Sequence, residues 1–363
     1  MTYTTKQIAE LTDSQLIGDT NAIISRIAFD SRNLYSSSET AFIAINTPNN
    51  SGEKYIASAI EKGVKVIISE NYNSDFKDIS WVIVEDCIQF LQTLAKRHFT
   101  DSSLKNSIGI TGSNGKTIVK EWLYQCLWNE IPVVKSPKSF NSQIGLPISL
   151  LEINEKHQLG IFEVGISKPQ EMEILEQIFS PRIGILTHIG TAHSFNFRNE
   201  EELIDEKIKL FQKSDVIIFN GDNDLVFSKI KKTYSTKKLI SFGLKHHNDV
   251  HIFSDYKNPN ELIKIKYKNE TLELPVQQRD EATLSNALAV ITCLKELGFS
   301  NEKIIDKINN LRAVEMRLES VNGVKNNLII NDSFNLDLDS LTIAYQFINQ
   351  YQKPKKSLIL TDI

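Results

Sequence analysis

Short apolar runs of the kind that form buried strands alternate with amphipathic helical segments along most of this chain. Residues 107–110, 160–164, 183–186 and 216–219 are four such runs. This alternation predicts an α/β fold in which helices cover mostly parallel sheets. With 363 residues the chain is too long for a single core, so two or three domains are expected.

Composition and charge are those of an ordinary globular protein. Hydrophobic residues make up 41% of the chain, charged residues 24%, and the formal net charge is −4. This balance gives no reason to expect a nucleic acid partner. Neither an 18-residue apolar run nor a basic start followed by an apolar stretch is present, so we expect no membrane insertion. The dispersed cysteines favour reduced thiols, and we expect a cytoplasmic location.

The pattern divides into three zones, which we predict as domains at residues 1–102, 103–313 and 314–363. The first zone has short strands around a helix at residues 54–62. The second ends with an antiparallel part at residues 249–276, turning at Lys268-Asn269-Glu270, and a helix at residues 281–297 that Gly298 terminates.

The third zone has a strand at residues 328–330, a helix at 340–349 and a strand at 357–360. One βαβ unit cannot bury both faces of a sheet. We therefore expect this third domain to be incomplete.

A phosphate-binding loop is predicted between the strand at 107–110 and the helix that carries Val119, Trp122 and Leu123. The loop consists of Thr111, Gly112, Ser113, Asn114, Gly115, Lys116 and Thr117. Glycines allow backbone N–H groups to approach phosphates, and the helix N-terminus adds a partial positive charge. Lys116 is expected at the β- and γ-phosphates, and the Thr117 hydroxyl at Mg²⁺. Ile110 departs from the strict pattern, so a chance strand–turn–helix is the alternative.

Several segments together resemble the Mur ligases. The loop is similar to the TGTNGKT loop of that family, and residues 141–151 (NSQIGLPISLL) resemble its NNEIGVPLTLL segment. Asp30-Ser31-Arg32 and residues 41–45 resemble its uridine-nucleotide domain, and residues 332–340 (DSFNLDLDS) its DSYNANPDS segment. One stretch departs from the family pattern, because Asp280-Glu281-Ala282-Thr283 replaces Gly-Arg-His-Asn.

The resemblance implies a three-domain Mur ligase architecture with a small N-terminal α/β domain, a central ATP-binding domain with a mostly parallel sheet, and a Rossmann-like C-terminal domain, here expected to be incomplete. A chain with such an incomplete third domain is expected to bind its UDP-linked precursor but to ligate poorly. It implies the branch that uses ATP to join D-alanyl-D-alanine to UDP-N-acetylmuramoyl-tripeptide through an acyl phosphate. The chain also resembles the ligase half of fused ligase–alanine racemase proteins. The alternatives are a tripeptide-forming Mur ligase, a folylpolyglutamate synthase-like ligase, and an NTP-binding scaffold without turnover.

Two Mg²⁺ ions are expected from the resemblance, with Thr117, Glu163, His193 and Lys207 as ligands. Glu163 ends an apolar strand, where parallel sheets bind ligands, although a solvated acid is the alternative. His193 could instead be an ordinary loop residue. The family position of Lys207 carries a carbamylated lysine, whereas a solvated surface lysine is the alternative. Lys116, Lys207 and His193 are the expected catalytic residues.

The remaining site residues also follow from the resemblance. Asn286 is expected at the adenine, and Arg317, Asp332 and Asn335 at other parts of the nucleotide. Capping a helix is the alternative for Asp332 and Asn335, and an ordinary polar residue near a helix N-terminus is the alternative for Asn286. For the UDP-linked substrate, the expected residues are Ser31, Arg32 and Asn141, with arginine suited to paired phosphate contacts.

Overall fold

The computed structural model describes residues 1–34, 38–190, 194–258, 260–274, 279–334, 337–349, 351 and 353–360. Helices and strands follow one another throughout these ranges. Within them, no helix is both long enough and apolar enough to cross a bilayer.

The α-helices cover mainly the predicted amphipathic segments. In chain order they are α1 (Thr5–Thr12), α2 (Ile56–Glu61), α3 (Cys87–Thr100), α4 (Lys116–Leu127), α5 (Gly145–Leu151), α6 (Glu171–Ile178), α7 (Glu200–Ile208), α8 (Asp224–Thr233), α9 (Glu281–Glu296), α10 (Asn301–Asn309) and α11 (Leu338–Asn349).

The strands are short, and most are buried. In chain order they are β1 (Tyr3–Thr4), β2 (Gln15–Ile17), β3 (Ile23–Ile24), β4 (Arg26–Ala28), β5 (Thr40–Ile43), β6 (Val66–Ser69), β7 (Ser80–Ile83), β8 (Asn106–Thr111), β9 (Val133–Lys135), β10 (Leu159–Glu163), β11 (Ile183–Leu186), β12 (Val216–Asn220), β13 (Lys238–Gly243), β14 (Val250–Ile252), β15 (Ile263–Tyr267), β16 (Glu270–Leu274), β17 (Glu319–Asn322) and β18 (Leu328–Asn331).

A smaller compact unit comprises Met1–Leu104, Ser136–Gln158 and Gln177–Phe179. Its main sheet has the order β2-β7-β6-β5-β4, in which only the pairing of β2 with β7 is antiparallel. Helix α3 packs against α5, and Gln92 Nε2 donates to the carbonyl of Gln143 at 3.3 Å. These contacts join the segment before α5 to the core of the N-terminal residues.

A larger compact unit comprises Lys105–Lys135, Leu159–Glu176 and Ser180–Ile363. Its nine-stranded sheet has the order β16-β15-β14-β13-β12-β11-β8-β10-β9. The strands from β9 to β14 pair in parallel, and β14, β15 and β16 pair antiparallel. Strand β8 therefore lies between β10 and β11, so its C-terminal loop is flanked by the ends of two buried strands.

The large helix α9 forms where the sequence predicts it. Asp280 accepts a hydrogen bond from the backbone N–H of Thr283 at 2.8 Å and so caps its first turn. Gly298 follows its end with φ +87°, as expected for a C′ glycine. The predicted antiparallel part is also confirmed, with Lys268 in the turn between β15 and β16 at φ 52°.

The third zone differs from the prediction. In place of a parallel βαβ unit, β17 and β18 form an antiparallel pair, and β17 was not anticipated. Residues 357–360, predicted as a buried strand, have no regular secondary structure. Ile359 is 95% exposed. Within the described ranges no strand pairs with this segment, and an apolar run does not form a stable strand without a neighbour.

Candidate active site

The loop after β8 has a backbone that two glycines make possible. Gly112 has φ +144°, and a Cβ there would lie 2.0 Å from Thr187 Oγ1. Gly115 has φ +90°, and its Cβ would lie 2.4 Å from Asn286 Oδ1. Both positions combine a left-handed backbone with a close approach, which only glycine tolerates without strain. The loop is therefore held in one shape at the start of α4.

The residues that follow β11 anchor this loop. The backbone N–H of Ser113 donates to the carbonyl of His188 at 2.8 Å. Thr187 Oγ1 lies 2.7 Å from the carbonyl of Asn114 and donates to it. These contacts orient the loop before any ligand arrives, which reduces the ordering cost of binding.

Lys116, the first residue of α4, folds back over the loop. Its Nζ donates to the carbonyls of Gly112 at 2.8 Å and Ser113 at 2.9 Å. Desolvation by the surrounding protein, with a further effect of nearby Arg317, lowers the pKa of Lys116 to about 8. The Lys116 ammonium lies at the loop, where an oxygen of a bound phosphate could replace one of these two carbonyls as its hydrogen-bond acceptor.

Glu163 and Thr117 lie together beside the loop. Glu163 ends β10 and is fully buried, so the alternative of a solvated acid is wrong. Thr117 Oγ1 donates to Glu163 Oε2 at 3.2 Å, and Arg317 Nη2 donates to the same hydroxyl at 3.4 Å. A carboxylate and a hydroxyl are hard oxygen ligands, which suit Mg²⁺.

Lys207 also reaches the loop, from α7. It is 1% exposed, so the alternative of a solvated surface lysine is wrong. Its Nζ donates to the carbonyl of Gly112 at 3.2 Å. Burial, followed by the charge of nearby Lys116, holds the pKa of Lys207 well below its ordinary value. The amine is therefore poised to be neutral, which is the form that reacts with CO₂.

The described residues supply only some of the ligands that a bound metal ion needs. Within the described ranges, no group of three or more His, Cys, Asp or Glu side chains could hold a metal ion. His193 lies outside the described residues, so its expected role stays a prediction. Thr117 and Glu163 fit Mg²⁺, which commonly takes further ligands from water and substrate phosphates. Lys207 fits only if its amine becomes an anionic carbamate.

Asn286 and Arg317, both expected at the nucleotide, lie at the loop, and Asp332, also expected there, lies beside Leu318. Asn286, buried in α9, lies next to Gly115. The guanidinium of Arg317 stacks 4.0 Å from the ring centroid of Phe334. Asp332 accepts from the backbone N–H of Leu318 at 3.2 Å, and burial raises the pKa of Asp332. Its carboxylate therefore holds a loop together and does not cap a helix.

Asn114 connects the loop to the start of α11. Its Nδ2 donates to Ser340 Oγ at 3.1 Å, and the backbone N–H of Ser340 donates to Asp337 Oδ1 at 2.9 Å. Asn335, also expected at the nucleotide, lies outside the described residues. Phe334 and Asp337 lie in the segment 332–340 that resembles a family motif, but neither was selected as a site residue.

Lys120 is a second charged residue of the site that was not predicted from the sequence. It is fully buried in α4, with its Nζ 3.1 Å from Glu163 Oε1. A signal was present, because Lys120 is three and seven residues before Leu123 and Leu127 on the apolar side of the helix.

The residues expected at the UDP-linked substrate belong to the smaller unit. Ser31 is buried, and Arg32 is exposed and pairs with Asp30 at 2.9 Å. Asn141 is in the segment before α5. The rings of Phe29 and Phe140, just before these segments, have centroids 6.1 Å apart. The structure therefore brings the two segments close to each other.

Relatives cover almost the whole chain. A UDP-N-acetylmuramoyl-tripeptide--D-alanyl-D-alanine ligase of Bacillus subtilis (strain 168) is 27% identical over 369 aligned residues, covering 99% of this chain and 78% of that protein. The protein of the same name from Rickettsia prowazekii (strain Madrid E) is 28% identical, covering 89% of this chain and 72% of that protein.

Solved structures show the same architecture. MurF from Acinetobacter baumannii has a TM-score of 0.83 at 24% identity, covering 97% of this chain and 77% of that one. MurF ligase from Thermotoga maritima, in complex with ADP, has a TM-score of 0.74 at 23% identity, covering 90% and 75%. These likenesses confirm the predicted fold class.

The region that carries the site matches a known domain. Residues 110–294 match the Mur ligase middle domain. This range holds the loop, Glu163, Lys207 and Asn286, and it spans just over half of the 363 residues. The chain therefore belongs to the Mur ligase family.

Proposed function

We propose that the chain is an ATP-dependent ligase that joins D-alanyl-D-alanine to UDP-N-acetylmuramoyl-tripeptide in the synthesis of cell-wall precursor. The observation that carries this proposal is the preformed loop with Lys116, Thr117, Glu163 and Lys207 around it, in a chain that aligns over 99% of its length with a ligase of that name. Because the reaction consumes ATP, we also propose a cytoplasmic location.

The reaction needs an activated acyl group. The terminal carboxylate of the tripeptide attacks the γ-phosphoryl group of ATP, and ADP leaves. The amine of D-alanyl-D-alanine then attacks the acyl phosphate, phosphate leaves, and an amide forms. Negative charge collects on the transferred phosphoryl group, so cations placed in advance stabilise the transition state. Lys116 and Arg317 are the residues of this chain that we assign to that task.

Mg²⁺ fits the oxygens of Thr117 and Glu163, and we propose these two residues as protein ligands. When bound, Mg²⁺ neutralises charge on the phosphates. We propose that the neutral amine of Lys207 bonds to the carbon of CO₂ and loses a proton to solvent. The resulting carbamate would be a second anionic oxygen donor. His193 is proposed as a further ligand on family resemblance alone.

The residues of the smaller unit are assigned to the UDP-linked substrate. Arg32 is exposed and pairs with Asp30, and an exposed ion pair contributes little, so the guanidinium can turn toward a diphosphate at small cost. Ser31 and Asn141 are proposed beside it. Asn286, Asp332 and Asn335 are proposed at the nucleoside of ATP.

A coupled assay of phosphate release tests the function. The purified chain, with ATP and Mg²⁺, should release phosphate only when UDP-N-acetylmuramoyl-tripeptide and D-alanyl-D-alanine are both present. Parallel reactions offer the UDP-linked dipeptide with a diamino acid, or folate with glutamate. Turnover confined to either pair would replace the proposal with another ligase, and nucleotide binding without any turnover would favour a scaffold.

A further inference from the structure

Lys120 belongs to a row of alternating charges that ends beside the phosphate loop. Its side chain is completely buried, and its Nζ is 3.0 Å from Glu121 Oε1 and 3.1 Å from Glu163 Oε1. Lys135 pairs with the other oxygen of Glu121. A buried lysine is costly unless acids compensate it, so this arrangement depends on both carboxylates.

The two oxygens of the Glu163 carboxylate contact different groups. Its Oε1 faces Lys120, and its Oε2 accepts from the Thr117 hydroxyl beside the loop. A cation held by Thr117 and Glu163 would therefore approach one oxygen while the ammonium stays on the other. Even without a bound metal ion, the fully buried Glu163 has a positively charged partner in Lys120.

We propose that Lys120 is the resident counter-ion of Glu163, which stabilises the empty site and weakens the binding of a divalent cation there. This inference rests on the proposed function, because it takes Glu163 as a cation ligand. Lys120 acts through Glu163 and is a positioning residue. Its positive charge repels an incoming cation across the carboxylate, and such repulsion is strong where solvent is excluded. The ion would therefore bind reversibly and not permanently.

Lys120→Met keeps the length of the side chain and removes its charge. We expect this variant to bind Mn²⁺, a probe for Mg²⁺, at least about tenfold more tightly than the unchanged protein in the presence of ADP. Free Mn²⁺ is measured by electron paramagnetic resonance at fixed ADP. Without the metal, the unfolding midpoint in urea should fall, because a buried carboxylate loses its partner.

Three further variants control the measurement. Lys120→Arg keeps the charge and should bind Mn²⁺ as the unchanged protein does. Lys295→Met removes another mostly buried lysine, which pairs with Glu270 at 2.7 Å, and should leave Mn²⁺ binding unchanged. The double variant Lys120→Met/Glu163→Gln removes both charges, so it should recover part of the lost midpoint and bind Mn²⁺ weakly.

The outcomes separate this inference from the proposed function. If Glu163→Gln binds Mn²⁺ with ADP as tightly as the unchanged protein, Glu163 is not a ligand and the proposed metal site fails. If Glu163→Gln loses Mn²⁺ but Lys120→Met binds it equally or more weakly, only the counter-ion inference fails. If Lys120→Met does not fold, the double variant is compared with Glu163→Gln. The fall in midpoint measured for Lys295→Met then gives the cost of removing a mostly buried lysine elsewhere. A double variant whose midpoint lies below that of Glu163→Gln by this cost or more would also overturn the inference.

Discussion

Lys120, Glu163 and Lys207 are charged side chains withdrawn from solvent around one loop. Transfer of a charge into a protein interior costs several kcal/mol after relaxation, so each must have a partner or become neutral. Lys120 and Glu163 meet this demand by pairing. Lys207 donates to the carbonyl of Gly112, and its burial, with the charge of Lys116 nearby, favours the neutral amine. The loop is thus bordered by two opposite charges that compensate each other and by one amine whose neutral form burial favours.

Carbamylation of Lys207 can be observed directly. With ¹³C-labelled bicarbonate at neutral pH, we expect a carbamate carbon signal in the NMR spectrum that is absent from Lys207→Ala. That variant should lose activity by roughly 10²–10³-fold, because a preplaced charged group is removed. Short carboxylates should restore part of the loss by supplying the missing oxygen.

Lys209→Ala is the matched control for this prediction. Lys209 is two residues away, partly exposed, and pairs with Glu206 at 2.8 Å. Its variant should keep both the signal and the activity. A spectrum without the carbamate signal, together with full activity of Lys207→Ala, would contradict the assignment.

Single residues were predictable where their neighbours in sequence define their surroundings. Lys116 follows a glycine at a helix start, and Glu163 ends an apolar run, so both patterns indicate a site. Lys120 was not predicted because a lysine on a helix is usually solvated. Its partner Glu163 is 43 residues away, on a strand that only the sheet order brings beside α4.

The strand–loop–helix element around Gly115 gives a prediction at the next scale. A Cβ at Gly115 meets a left-handed backbone and Asn286 Oδ1 at 2.4 Å. We expect Gly115→Ala to lower the free energy of unfolding by about 2–3 kcal/mol and to weaken ADP binding, because Asn286 must move. Urea unfolding and titration calorimetry with ADP measure the two effects.

Gly298→Ala separates backbone strain from the clash. Gly298 has φ +87°, and its Cβ would find no atom within 4 Å. This variant should lose only about 1–2 kcal/mol, the cost of the left-handed backbone, with ADP affinity unchanged. Equal losses in both variants, with ADP binding intact in both, would show that Asn286 does not depend on this glycine.

Helix α3 has a histidine whose neutral ring is favoured by burial. His98 Nε2 lies 2.9 Å from the carbonyl of Ile153 and donates to it, and in the neutral ring Nδ1, 2.7 Å from the Tyr3 hydroxyl, accepts from that hydroxyl. Burial lowers the pKa of His98 below its ordinary 6.5. As pH falls through 6.5, His98 of the unfolded chain takes up a proton before His98 of the folded chain does. The free energy of unfolding therefore decreases as the pH falls.

The test compares urea unfolding at pH 7.5 and pH 5. We expect the unchanged protein to lose more unfolding free energy between these values than His98→Gln, which has no proton to gain at that position. The same loss in both proteins would mean that His98 titrates alike in the folded and unfolded chains.

Elements with a strong local pattern were predicted, and those that depend on distant pairing were not. Helix α9 has both caps in its own sequence, and the turn at Lys268 separates two alternating strands. Residues 357–360 have the composition of a strand but no pairing neighbour in the described ranges. Strand β17 is polar and mostly exposed, so its sequence contains no apolar run to indicate it.

At the scale of the whole molecule, the chain passes between two units several times. It enters the larger unit at Lys105, returns to the smaller one at Ser136, and crosses again at Leu159. A sequence pattern shows where elements begin and end, but it does not show which distant core they join. The boundaries at residues 102 and 313 therefore stay predictions.

The two proposed binding regions each lie within one unit. The phosphate loop, Glu163, Lys207 and Arg317 belong to the larger unit, and Arg32 belongs to the smaller one. Variants in separate regions without shared partners usually have additive effects. Arg32→Ala should therefore weaken only the binding of the UDP-linked substrate, and Lys116→Ala only the binding of the nucleotide. Arg26→Ala, which changes an exposed arginine of β4, is the control and should weaken neither.

Arg32→Ala should raise the KM for UDP-N-acetylmuramoyl-tripeptide by roughly 10- to 100-fold, the effect of losing a hydrogen bond of about 1.5–3 kcal/mol to a charged group. ADP affinity should be unchanged. Lys116→Ala should abolish turnover and weaken ADP binding while circular dichroism shows an intact fold. Calorimetry on the double variant should give ADP affinity equal to that of Lys116→Ala, within about 0.5 kcal/mol. A loss of ADP affinity from Arg32→Ala alone would show that the regions are coupled, which would contradict their separate assignment.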